Sequence, residues 1–307
     1  MLAGAFFAIL GAATFGLNDA TVRRGVVTGS VVQGMAITVP IGLPLFFVAA
    51  LATGELFSIA EVTSMGAAML ALAGVAHFVW GRYCNYRAVK AMGGNRAGPV
   101  QQVALLVALV LAMTILDETI GWIRALGILL IIAGPTIMLE RKAAPPNSDS
   151  SNAPAEVVFI PRLREGYIFA LLSATGYGVS PILISAGLEE SGLSLVGGMI
   201  SYAAAAFIVG TVLLFGKNLR TEVKATERTN VRWFLISGIA VFLAQMFRYI
   251  ALAIAPVSVV ASLMRLGLAF RLIFGYFLNR NYESFEPRVL LGIAISILGG
   301  LALTASI

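Results

Sequence analysis

Long apolar segments, separated by short polar breaks, run through the whole of this chain of 307 residues. Each is about 20 residues long, the length that an α-helix needs to cross the apolar core of a bilayer. Charged residues make up 12% of the chain, about half of the roughly 25% found in soluble domains. A water-soluble globule could not cover that much apolar surface. The sequence therefore predicts an all-α membrane protein.

Polar breaks divide the sequence into ten predicted transmembrane helices, five in each half. In the first half they span 2–22, 31–53, 65–88, 97–116 and 120–139. In the second half they span 166–187, 193–215, 233–254, 257–278 and 286–306. The segment between the halves is rich in Pro, Ser and Asn, which favours a flexible linker over a helix. We therefore divide the chain into a first repeat, 1–140, a linker, 141–163, and a second repeat, 164–307.

The ends of the two halves share one pattern of residues. A glutamate is followed by two glycines at identical spacings: Glu118, Gly127 and Gly134 in the first half, and Glu283, Gly292 and Gly299 in the second. Glycines seven positions apart lie on one helix face, where they allow neighbouring backbones to approach closely. The glutamate lies where a helix begins and a negative charge is favourable, so we expect it to cap a helix rather than bind substrate.

Equivalent loops of the two halves carry different charges. The first loop of the first half contains Arg23 and Arg24, whereas its counterpart in the second half contains Glu189 and Glu190. In each of the four pairs of equivalent loops, only one loop is basic. The basic loop belongs alternately to the first half and to the second half along the chain. Because five is an odd number of helices, the second half must cross the membrane in the opposite direction. The pattern predicts two inverted five-helix repeats, an architecture common among secondary transporters.

Three features together resemble a known family. They are the two five-helix repeats, the glutamate and two glycines that end each half, and the segment GGNRAGPVQQ at 93–102. The chain resembles the EamA-like branch of the drug/metabolite transporter superfamily over nearly its whole length. The resemblance implies a central cavity between the repeats and secondary transport of small metabolites, usually export. That family has no universal substrate-site motif, so the resemblance assigns no binding residue.

The positions of the basic residues predict an orientation in the membrane. Of the 21 Lys and Arg, five lie within predicted helices and the other 16 lie in or beside odd-numbered loops. The positive-inside rule places those loops in the cytoplasm and both termini outside it, in a plasma (inner) membrane. Members of the family typically have cytoplasmic termini, so the charge pattern predicts a departure from the family.

Several other function classes find no support in the sequence. The net charge of +6 is explained by cytoplasmic loops rather than by a nucleic-acid surface, which would interleave basic and aromatic residues. The single Cys84 excludes a disulfide within the chain, and the single His77 excludes a histidine-based metal cluster. We expect no catalytic residue, metal, cofactor or nucleic-acid partner. The expected partners are the lipid bilayer and a small-molecule substrate, and both monomer and dimer remain open.

Charged residues inside predicted helices of the second half mark candidate substrate contacts. A charge at the bilayer centre costs about 2.5–3.5 kcal/mol and usually faces a partner or a wet cavity. Arg265 lies mid-helix, and Arg248 and Gln245 share a face at similar depth on the preceding helix. Guanidinium groups suit carboxylates and phosphates, although an arginine that caps backbone carbonyls is the structural alternative. Arg271 is expected to snorkel to the basic face, and Tyr177 to line the cavity.

The first half supplies a second group of candidates. The predicted substrate contacts here are Asn18, His77, Trp80 and Gln101. Asp19 is the one acid well inside a predicted helix, so it is a candidate for coupling transport to protons. Because buried charges are usually paired, a structural ion pair with Arg82 or Arg23 is the favoured alternative.

These residues predict the charge of the substrate. Several arginines but a single acid lie inside the predicted helices, which favours an anionic or zwitterionic metabolite such as an amino acid or organic acid. We expect a secondary transporter, acting as an exporter by alternating access. The alternatives are a cation or drug exporter coupled through Asp19, a membrane-embedded enzyme, and a receptor or scaffold that transports nothing.

Overall fold

The computed structural model describes residues 2–116, 122–137, 160–255, 260, 263–264 and 266–305. Throughout these ranges the regular structure is helical, with no β-strand. Six helical stretches in the described chain are long and apolar enough to cross a membrane: Leu2–Thr28, Val31–Thr53, Ser64–Met92, Leu163–Leu188, Ser194–Phe215 and Arg228–Ile254. The prediction of an all-α membrane protein is confirmed. The arrangement of ten helices in two inverted repeats stays a prediction.

The helices of the first half begin with α1 (Leu2–Thr28), α2 (Val31–Thr38) and α3 (Gly42–Thr53), followed by a 3₁₀ segment (Glu55–Glu61). Next come α4 (Ser64–Gly74), a π-helical segment (Val75–Gly81) and α5 (Arg82–Met92), which form one continuous rod. The half ends with α6 (Gly94–Gln101), α7 (Val103–Leu116) and α8 (Trp122–Ile137).

The helices of the second half are α9 (Leu163–Leu188), α10 (Ser194–Phe215), α11 (Lys217–Lys224), α12 (Arg228–Ile254), α13 (Gly267–Asn279) and α14 (Pro287–Ala305). Of these, α11 is a short polar helix with no buried residue, in a stretch that the apolar pattern alone assigns to a loop. Of the predicted linker, residues 160–163 are described: 160–162 are not helical, and α9 already begins at Leu163.

Proline accounts for one interruption of a predicted membrane helix. The segment 31–53 is broken between α2 and α3, at a turn that contains Pro40. Proline has no N–H group and clashes with the preceding helical turn, so it interrupts a helix.

Close packing joins the two halves of the chain. Helix α1 lies against α12 and α13, α9 lies against α4, α5 and α7, and α8 lies against α14. A Cβ atom added to Gly134 of α8 would lie 2.7 Å from the carbonyl oxygen of Gly292 on α14, which is too close for any larger residue. The predicted role of the repeated glycines in helix approach is confirmed at this pair.

Two glutamates connect the halves at helix starts. Glu283 accepts hydrogen bonds from the backbone N–H groups of Gly94 (2.6 Å) and Asn95 (2.9 Å), at the start of α6. Glu55 accepts from the backbone N–H groups of Leu195 (2.7 Å) and Val196 (3.3 Å), at the start of α10. Helix N-termini carry partial positive charge and unpaired N–H groups, which a carboxylate satisfies.

The predicted capping role is therefore confirmed for Glu283, although the helix that it caps is α6 of the other half rather than its own. Its carboxylate also lies 3.5 Å from the Nε atom of Arg23, which is completely buried. Glu118, the equivalent glutamate of the first half, lies outside the described residues.

Candidate substrate-binding site

A cavity whose largely apolar wall carries several charged and polar side chains lies between the two halves. Its walls come from α1, the π-helical segment, α5, α6 and α7 of the first half, and α9, α12 and α13 of the second. Its volume is about 170 Å³. One water molecule needs about 10–15 Å³ of such space, so the cavity holds on the order of ten atoms of water size. The described charged residues in its wall are Asp19, Arg82, Arg248 and Arg271.

The π-helical segment places two polar side chains, those of His77 and Arg82, on one wall of the cavity. A π-helix forms hydrogen bonds between residues five apart, so His77 and Arg82 lie above one another on the same helix face. Both line the cavity. In a regular α-helix, residues five apart point in different directions. Irregular turns of this type occur frequently at functional sites.

Arg248 is the centre of a buried cluster of uncharged partners. Its Nη1 atom lies 3.2 Å from Nδ1 of His77 and 3.3 Å from Oε1 of Gln245. Its Nη2 atom donates to the hydroxyl of Ser180 at 3.3 Å. Among the described residues, its hydrogen-bond partners include no carboxylate. A buried guanidinium carries five N–H donors and a full charge, so this cluster leaves both charge and hydrogen-bonding capacity for an anion.

The imidazole of His77 adds to the excess of hydrogen-bond donors around Arg248. Its Nε2 atom lies 2.7 Å from Nε2 of Gln245, and its Nδ1 atom faces Arg248. A neutral imidazole has one acceptor nitrogen, yet both nitrogens face donor groups. The cluster therefore has more donors than acceptors, which a carboxylate or phosphate oxygen would balance.

Asp19 forms an ion pair with Arg271 across the cavity wall. The Nε atom of Arg271 donates to Oδ2 of Asp19 at 2.9 Å, and its Nη2 atom donates to the same oxygen. Asn18 donates to the other carboxylate oxygen at 3.3 Å. Arg271 also donates to Gln101. Asp19 is thus paired, but the predicted partners, Arg82 and Arg23, were wrong.

The packing of α1 explains why Arg271 is the partner. A Cβ atom added to Gly16 would lie 2.5 Å from Cβ of Phe270, so α1 and α13 touch one turn before Asp19. This contact brings Arg271 beside the carboxylate. The prediction that Arg271 snorkels to the basic face was wrong, because the residue is 7% exposed and faces the cavity.

The two arginines predicted to pair with Asp19 have other partners. Arg82 donates to the carbonyl oxygen of Thr38 and to the hydroxyl of Tyr202, both at 3.0 Å. Its guanidinium also lies 5.0 Å from the ring centre of Phe78, a favourable cation–π arrangement. Arg23 donates to the carbonyl oxygen of Val89 at 2.7 Å. Arg82 faces the cavity, whereas Arg23 ties helices together away from it.

The structure brings most of the predicted site residues together. The predicted residues that line the cavity are Asn18, Asp19, His77, Gln101, Tyr177 and Arg248. Gln245 lies behind them, in contact with His77 and Arg248. Arg265 lies outside the described residues.

Trp80 lies away from the cavity. Its indole donates to the carbonyl oxygen of Leu172 at 3.0 Å, and the residue is 46% exposed on the outer surface. The reason is the π-helical segment, in which three residues cover a smaller part of a turn than in an α-helix. His77 and Trp80 consequently point to different sides.

Sequence reasoning missed Ser180 and the cavity-facing position of Arg271. A signal for Arg271 existed, because Asp19 needed a cation and Gly16 marks a close helix contact on the same face. For Ser180 we find no such signal, since serine is common in membrane helices. Its role depends on Arg248 reaching it from another helix.

Comparison with known proteins gives this fold and cavity a family context. Residues 2–139 match the EamA-like transporter family. The resemblance found in the sequence is confirmed over this range. This match, together with the six helical stretches that are long and apolar enough to cross a membrane, indicates a multi-pass membrane transporter of small molecules.

Solved structures match the fold over nearly the whole chain. Of 19 matching chains, one crystal structure, described only as a protein, covers 99% of this chain and 96% of its own. The TM-score is 0.64 and the sequence identity is 19%, so this likeness shows the fold alone. A search of curated proteins found no match.

Proposed function

We propose that this EamA-like protein is a secondary transporter, acting as an exporter, of a small anionic or zwitterionic metabolite such as an amino acid or organic acid. The observation that carries the proposal is Arg248. Its guanidinium is buried in the cavity wall, and its described hydrogen-bond partners are all uncharged. Burying a charge without a counter-ion is expensive unless a ligand supplies one.

The proposed mechanism is alternating access between two inverted five-helix repeats, 1–140 and 164–307. The helix packing supports this architecture. Helix α1 lies against α12 and α13, and α9, its counterpart in the second half, lies against α5 and α7. The final helices of the halves, α8 and α14, lie against each other. Such reciprocal contacts are expected when one half is a copy of the other.

The loop charges support termini outside the cytoplasm.

Asp19 is the proposed coupling residue. It is the acid in the described cavity wall, and it is held by Arg271 and Asn18. A cation exporter would need this carboxylate to attract its substrate. Because Arg271 already neutralises Asp19, the ion pair favours the anion transporter over the cation exporter.

Ligand-dependent thermal stability tests the proposed substrate class. Purified protein in detergent would be heated with millimolar succinate, glutamate, alanine, uridine or tetraphenylphosphonium. A ligand that binds the folded state raises the unfolding temperature by mass action. We expect at least one carboxylate to raise it and tetraphenylphosphonium to leave it unchanged. Stabilisation by the lipophilic cation alone would contradict the proposal.

A further inference from the structure

We infer that the preferred substrate carries two negative charges, as a small dicarboxylate does, because two buried arginines of the cavity wall have no described carboxylate partner. This inference rests on the proposed function, within which it specifies the charge of the transported anion.

The charges of the described cavity wall do not balance. Three arginines and one aspartate line it. Asp19 binds Arg271, which accounts for one arginine. Arg82 and Arg248 are left with a total charge of two, not counting His77.

Neutral groups hold both of these arginines in place. Arg82 binds the carbonyl oxygen of Thr38 and the hydroxyl of Tyr202. Arg248 binds Ser180, Gln245 and His77. These contacts fix the direction of each guanidinium without cancelling its charge.

The cost of burying these two positive charges favours a ligand that carries two negative charges. Arg82 is 3% exposed and Arg248 is 6% exposed, so water screens each of them poorly. A dianion neutralises both charges in the cavity. A monoanion or a zwitterion leaves at least one uncompensated, and a cation adds a third. Electrostatic attraction is strongest where water is excluded, so the second negative charge of the ligand has a large effect.

The size of the cavity is compatible with such a ligand. A volume of about 170 Å³ corresponds to on the order of ten water-sized atoms. Succinate and glutarate, with roughly eight or nine non-hydrogen atoms, are in this range.

Calorimetric titration with two pairs of matched ligands tests the inference. Succinate and glutarate would be compared at neutral pH with succinamate and glutaramate, in which one carboxylate is replaced by an amide of the same shape. We expect at least one dicarboxylate to bind tenfold or more tightly than its half-amide. Arg82→Gln and Arg248→Gln should each reduce this ratio several-fold.

Arg87→Gln is the matched control variant. Arg87 is paired with Glu165 at 2.8 Å, is about one-third exposed and is not among the cavity-lining residues. It should keep the full preference for the dicarboxylate.

The outcomes separate the two proposals. Equal binding of a dicarboxylate and its half-amide, or binding of alanine without either dicarboxylate, would overturn the dianion inference and leave the proposed function intact. Failure of every anion and zwitterion to bind to folded protein would overturn both. If Arg82→Gln does not fold, the wild-type ligand pairs and Arg248→Gln still decide the question.

Discussion

Replacing Arg248 with glutamine is expected to weaken succinate binding by about ten- to a hundredfold. Hydrogen bonds to charged groups contribute about 1.5–3 kcal/mol, and each 1.4 kcal/mol corresponds to about a tenfold change in affinity. Glutamine keeps polar contact with the neighbouring Gln245 and Ser180 but removes the charge and the planar set of donors. Isothermal titration of wild type and variant measures the difference directly.

The stability of the ligand-free protein distinguishes binding from a structural role. If Arg248 serves the substrate, Arg248→Gln removes a buried charge that lacks a described carboxylate, so the unfolding temperature should stay the same or rise. If Arg248 mainly holds α12 to its neighbours through His77 and Ser180, the unfolding temperature should fall and succinate affinity should change little. That second result would contradict the claim that Arg248 binds the substrate.

Replacing Asp19 with asparagine should have the opposite combination of effects. The variant leaves Arg271 buried without its carboxylate, and breaking a buried ion pair from one side costs about 3–5 kcal/mol. We expect the free energy of unfolding in detergent micelles, measured by chemical denaturation, to fall by about that amount. Succinate should bind more tightly, because a third arginine then attracts the anion.

A double variant supplies the control for this prediction. Asp19→Asn combined with Arg271→Gln removes both charges, so most of the lost stability should return, as expected for two residues in direct contact. Succinate affinity should also return towards the wild-type value. A double variant whose stability loss is simply the sum of the two single losses would show that the residues do not act as a pair.

The sequence was most informative where one physical requirement dominates. Membrane helices need long apolar segments, so the predicted spans 166–187 and 193–215 agree closely with Leu163–Leu188 and Ser194–Phe215. Close helix contact needs glycine, so the repeated pattern predicted a close backbone approach at Gly134, and the structure shows that its neighbour is α14. The cost of burying charge also directed attention to Arg248 and Asp19, which both line the cavity.

Pairing between distant residues was harder to predict. Several arginines had suitable depth to bind Asp19, and the choice of Arg271 depends on how α1 and α13 cross at Gly16. Similarly, Glu283 was predicted to cap a helix, but its partner α6 is determined by packing between the halves.

Local irregularity of the backbone was also not predictable from the sequence pattern. The apolar pattern of 75–81 is compatible with an ordinary α-helix, but the structure contains a π-helical segment there. Hydrogen bonds in this segment join residues five apart instead of four apart. This wider turn directs His77 and Arg82 to the cavity and Trp80 away from it. The side chain of Tyr177 from another helix packs directly against Gly81 at the end of this segment, and the sequence pattern reveals neither the segment nor the contact.

The most direct test of the central claim is uptake by proteoliposomes that contain the purified protein. Radiolabelled succinate, glutamate and alanine would be compared with tetraphenylphosphonium, with protein-free vesicles as the baseline. We expect saturable uptake of at least one carboxylate, reduced at least tenfold by Arg248→Gln and unchanged by Arg87→Gln. Uptake of the cation with none of any carboxylate, or carboxylate uptake that Arg248→Gln leaves unchanged, would contradict an anion transporter built around Arg248.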